Sequence, residues 1–78
     1  MQFEVIVELK PEVLDTQGRA IKESLERLGN KTLRGVRVSK RFVLELEGED
    51  AQQTATRLAH DVLANPVSET FQVRRLEP

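Results

Sequence analysis

The sequence predicts an α+β domain, a two-layer sandwich of order βαββαβ with a mainly antiparallel sheet and both helices on one face. Three observations carry this reading. Apolar residues alternate with period two near both ends of the chain and in its middle, the mark of half-buried strands. Two intervening stretches repeat apolar residues at helical spacing. The chain is 78 residues long, which is one domain at 1–78. A chain this short hides only about 60% of its unfolded surface.

The first strand is Gln2 to Leu9: Phe3, Val5, Val7 and Leu9 point one way, Gln2, Glu4 and Glu8 the other. Ile6 adds an apolar side chain to the polar side. Pro11 lacks a backbone donor and stops the strand from running on. The connector then carries two apolar residues, Val13 and Leu14, before Asp15, whose carboxylate can cap the next helix. That helix is Thr16 to Leu28, with Ile21, Leu25 and Leu28 on its apolar stripe, charged residues opposite, and Gly29 as a left-handed stop. Gly18 in its first turn has poor helix propensity and reads equally as a close approach of another backbone or chain and as a tolerated surface glycine.

Val36 and Val38 alternate with Arg37 and Ser39 and read as a second strand, with Ser39-Lys40-Arg41 as a hairpin turn. Phe42, Leu44 and Leu46 form a third, ending at Gly48. The pattern leaves open whether 36–47 is one bent strand or two. Asp50 and Gln53 stand at capping-box spacing before a helix whose stripe is Ala51, Ala55, Leu58, Val62 and Leu63, with Ala59 beside them. Asn65-Pro66 ends it. Thr70 to Leu76 is the last strand, with Phe71 and Val73 toward the core. This order is that of the ferredoxin-like sandwich. Its open sheet face would carry Glu4, Ile6, Glu8, Arg37, Val43, Glu45, Arg74 and Leu76. Ile6, Val43 and Leu76 are the candidates for self-association, expected to give a homodimer, or a tetramer when isolated.

Composition removes several classes of function. Twelve basic against thirteen acidic residues give a net charge of −1, so nucleic acid is not an expected partner. With no cysteine, disulfides and thiolate metal sites are excluded, and a reducing cytoplasmic setting is expected. No apolar run approaches 20 residues and no signal-peptide pattern is present, so no membrane association is expected. The chemistry is equally sparse. Ser24, Ser39 and Ser68 have one histidine between them, His60, which falls on a helix surface. No glycine-rich phosphate loop and no metal-ligand spacing occur. No catalytic, cofactor-binding or metal-binding residues are predicted.

Leu9-Lys10, Val13-Leu14-Asp15, Gln17-Gly18, Val36-Arg37-Val38 with Lys40, and Leu63-Ala64-Asn65-Pro66-Val67 occur in this order along the whole chain. Together they resemble PurS, the small-subunit family of phosphoribosylformylglycinamidine synthase in de novo purine biosynthesis. Two positions depart from that pattern: Thr16 stands where the family usually has proline, and Ser39 where it usually has glycine. The resemblance implies a non-catalytic accessory subunit of an ATP- and glutamine-dependent carbon–nitrogen ligase. It would bridge a glutaminase subunit (PurQ) and a large synthetase subunit (PurL) and assist ammonia transfer. ATP and Mg would be used by the complex, with no cofactor held by this chain. Lys10, Asp15, Gln17, Gly18, Arg37 and Lys40 are the candidates for partner contact. The element order alone would also suit an ACT-like small-molecule-sensing module.

Overall fold

β1 (Gln2–Leu9) is the spine of the computed structural model, which describes residues 1–76. It pairs on one side with β2 (Ser39–Glu45) and on the other with β3 (Glu69–Leu76), giving an antiparallel sheet of order β2-β1-β3. Val5 lies opposite Phe42 on one neighbour and Val73 on the other, so this register puts Phe3, Val5, Val7, Phe42, Leu44, Phe71 and Val73 on one face. Phe3, Val5 and Val7 are fully buried there.

The layer above that face is α2 (Ala51–Leu58). Ala51, Ala55 and Ala59 are buried, and such small side chains let the helix backbone settle close onto the strands. The helix then widens into a π-helical segment, Ala59–Leu63, closed by the Ala64 N–H donating to the Ala59 carbonyl at 2.9 Å. A wider turn delays the return of side chains to the core. Leu63 and Ala64 therefore pack inward, while Val62, expected on the apolar stripe, is 72% exposed. Asp50 stands at the helix start, but its side chain makes no capping bond.

The element order is βαβαβ: among the described residues, the extra strand expected at Val36–Val38 is absent. Two alternating valines behind Gly35 are a weak ladder, and the Val38 N–H is taken by the Asp15 carboxylate at 2.8 Å. Ser39-Lys40-Arg41 is accordingly no turn. These residues open β2, paired with Glu8, Val7 and Ile6. Arg37, expected on the open sheet face, instead lies before β2 and donates to the Leu9 carbonyl at 3.3 Å. The other residues assigned to that face are there. Glu4 and Glu8, with Ile6 between them, lie opposite Val43 and Ser39 of β2 and Arg74 and Thr70 of β3.

α1 (Thr16–Arg27) departs most from expectation. It has an apolar stripe, yet it does not lie on the sheet of its own chain beyond marginal contact. Ile21 is 39% and Leu28 79% exposed. The molecule spans 50 × 30 × 13 Å with a radius of gyration of 15.9 Å, against about 11.5 Å for a compact chain of this length. The extended shape agrees with an α1 that lies off the sheet. Among the described residues β2 keeps an unpaired outer edge, and its core-face residues Phe42 and Leu44, with Leu46 just beyond it, stay half-buried.

Candidate docking site

The end of the sheet where β1 stops, α1 starts and β2 begins gathers most of the partner-contact candidates. Leu9 closes β1, and the Lys10 N–H donates to the Ser68 carbonyl at 2.9 Å, fixing the connector against the β3 side. The Lys10 carbonyl then accepts from the Val13 N–H at 2.9 Å, turning the chain at Pro11. Asp15 follows as the helix cap. One carboxylate oxygen accepts from the Gly18 N–H at 2.8 Å and the other from the Val38 N–H at 2.8 Å. Those two N–H groups, Val38 first, hold its carboxyl below the ordinary value of 3.8, with Arg37 adding attraction and desolvation opposing.

Gly18 is buried at this junction. A Cβ built on it would lie 2.5 Å from the Val36 carbonyl oxygen and 2.6 Å from an Asp15 oxygen. The close approach expected at this glycine is therefore met inside the chain. Lys40 reaches across the core-side end of the sheet to Glu69 at 3.3 Å. Glu69 also accepts from the Asn65 N–H at 2.6 Å, and this bond, then Lys40, holds its carboxyl below the ordinary 4.5. Between these groups lies a cleft of about 290 Å³ lined by Asp15, Gln17, Lys40 and Glu69 over Val7 and Leu9. Asp15, Gln17, Gly18 and Lys40 thus converge, with Arg37 and Lys10 at the same sheet end. Ile6, Val43 and Leu76 lie on the opposite face of the sheet.

That opposite face holds a cluster the sequence did not single out. Glu4 is buried under two arginines, one from each neighbouring strand: Arg41 donates to one oxygen and Arg74 to the other, the latter at 2.8 Å. The Arg41 hydrogen bond is the main reason its carboxyl sits below 4.5, with Arg74 assisting. The pairing of Glu4 with Arg74 follows from the strand register, which alternation alone does not supply.

These carboxylates make the fold acid-sensitive. Glu4, Asp15 and Glu69 all titrate lower in the folded chain than in the unfolded one. Their stabilisation is present above the unfolded values and is lost as pH falls through the lower folded ones. The melting temperature should be steady from pH 7 to about 5 and fall below that. In Glu4→Gln the fall should be shallower. A wild-type melting temperature unchanged down to about pH 3 would show that these pairs contribute nothing.

A broader hollow of about 760 Å³ flanks α2, with Gln52, Thr56, His60 and Phe71 in its wall. His60 pairs there with Asp61 at 2.8 Å, and both are exposed. Among the described residues no three His, Asp or Glu side chains converge as metal ligands, and no helix is long and apolar enough to cross a membrane.

Among the described residues the sheet edges are unpaired, the α1 stripe is largely exposed, and the β1–α1 end is held by backbone ties and ion pairs. Residues 2–77 match the family model PurS, phosphoribosylformylglycinamidine (FGAM) synthase, and the chain belongs to that family. It is 39% identical to the phosphoribosylformylglycinamidine synthase subunit PurS of Mycobacterium leprae, covering 91% of this chain and 90% of that one. The corresponding Synechocystis subunit is 36% identical, over 94% of this chain and 78% of its own length. Among solved structures, B. subtilis PurS superposes with a TM-score of 0.88 at 29% identity, over 97% of this chain and 98% of that one. A chain in the PurLQS structure from Thermotoga maritima matches at 0.78 and 26% identity, over 96% and 95%.

Proposed function

We propose that this chain is the small accessory subunit of a phosphoribosylformylglycinamidine synthase in purine biosynthesis, joining a glutaminase subunit (PurQ) to a large synthetase subunit (PurL) in the cytoplasm. The observation that carries this is the match to PurS from residue 2 to residue 77. The chemistry of the whole enzyme explains why such a part is useful. Ammonia released into neutral water is mostly protonated and no longer nucleophilic, so holding the two active sites together in a closed assembly keeps the neutral nucleophile near its acceptor. ATP and Mg belong to the synthetase step. The work of this chain is assembly and ammonia transfer, with Lys10, Gln17, Arg37 and Lys40 as the side chains offered to partners at the β1–α1 end.

The chain acts as a homo-oligomer in this reading. The support is the uncovered α1 stripe beside a free β2 edge, each lacking within the described residues the cover the other would give. The other surface on which a second copy would seat is the open face at Ile6, Val43 and Leu76, and Val43→Ala distinguishes the two.

Sedimentation tests both points. The chain alone should run as a dimer or larger at micromolar concentration. Mixed with PurQ and PurL proteins, ATP, Mg and glutamine, it should bring the two into one boundary that does not form without it. A monomer that leaves their sedimentation unchanged would overturn the proposal.

A further inference from the structure

Asp15 has the place of an ordinary helix cap, but its second oxygen is engaged elsewhere. It accepts the N–H of Val38, 23 residues further along, at the point where the chain enters β2. Three ties therefore gather at the junction of β1, the base of α1 and the start of β2. One is Asp15 to the Gly18 and Val38 N–H groups. Another is the Arg37 guanidinium on the Leu9 carbonyl. The third is the tight approach of the Gly18 backbone to the Val36 carbonyl. Beyond that turn, α1 has no more than marginal contact with the strands. A rod of 12 residues, roughly 18 Å long, is thus aimed from its base.

We infer that Asp15 is a positioning residue: by bridging the Gly18 and Val38 amides it locks α1 to the start of β2 and fixes the direction in which the helix presents Ile21, Leu25 and Leu28. A carboxylate suits this because it offers two acceptor oxygens and no donor when ionised. Backbone N–H groups left without a partner are costly, and Val38 lies in no strand that could provide one. The short contact at Gly18 excludes any side chain that would spread the junction. Within one chain the orientation of α1 is then set at its base, with the Asp15 carboxylate as the bridging group.

A variant that keeps the cap but removes the bridge tests this. In Asp15→Ser a single hydroxyl oxygen, one bond shorter, can cap the Gly18 N–H but cannot span to Val38. Amide hydrogen exchange should show Val38 losing its protection by about tenfold or more, while the interior amides of α1 keep theirs. Because the chain has no cysteine, nitroxides can be placed at Glu23→Cys and Gln53→Cys without background. Labelled chains diluted into unlabelled ones should show a narrow distance distribution when Asp15 is intact and one roughly twice as wide in the Asp15→Ser variant. An unchanged distribution, with Val38 still protected, would overturn the inference. So would an Asp15→Ser chain that keeps both the wild-type helix signal and the narrow distribution while Asp15→Ala loses helix, since Asp15 would then be a cap alone.

Discussion

Gly18→Gln should uncouple the enzyme without destroying the chain's sheet. The added Cβ would meet the Val36 carbonyl oxygen at 2.5 Å, a backbone atom that cannot rotate away. Strain from such overpacking is on the order of 1–3 kcal/mol, and it falls at the one junction that orients α1. Because β1, β2, β3 and α2 pack together without α1, circular dichroism should still report a folded sheet. In the reconstituted three-subunit enzyme, glutamine-dependent synthesis should fall on the order of tenfold or more, since small misplacements of a coupled geometry have large kinetic consequences. Synthesis from added ammonia should persist, because the synthetase chemistry lies in another chain. Folded Gly18→Gln protein with normal glutamine-dependent rates would show that the junction only starts a helix.

Phe3→Ala should have the largest effect on stability. Phe3 is fully buried, packed beneath Ala51 and Ala55 with Leu44, Leu46 and Val73 around it. Truncating a buried phenylalanine costs about 3–5 kcal/mol, much of the total for a small domain. Urea denaturation should show most of the stability gone. Val43→Ala, on the open and exposed side of the same sheet, should cost well under about 1 kcal/mol if that face stays wet. Equal losses from the two variants would mean that both faces are buried and that Ile6, Val43 and Leu76 meet another chain.

Periodicity was enough to place β1, both helices and β3, because each carries a continuous apolar face at its own period. It failed where a single hydrogen bond outweighed the pattern. Val36 and Val38 alternate like a strand, but the Val38 amide belongs to Asp15, and nothing in local spacing announces a partner 23 residues away. Val62 has helical spacing, yet the π-helical segment turns it outward. The amphipathic stripe of α1 shows that the helix needs cover, but not that its own sheet fails to provide it. At the site, Asp15 as a cap and the close approach at Gly18 were both legible. The identity of the approaching atom, the Val36 carbonyl, depends on the path of an irregular segment. The Glu4 cluster with Arg41 and Arg74 stayed hidden for a related reason, since it depends on the register of three strands.

The role proposed for this chain is to let ammonia pass between two other subunits while performing no chemistry itself. Its most direct test is omission. PurQ and PurL proteins should be assayed for formylglycinamidine ribonucleotide formation with formylglycinamide ribonucleotide, ATP and Mg, with and without this chain, supplied either with glutamine or with ammonium salt. Glutamine-driven synthesis should require the chain, and ammonia-driven synthesis should not. Glutamine-driven synthesis at full rate in its absence would contradict that role.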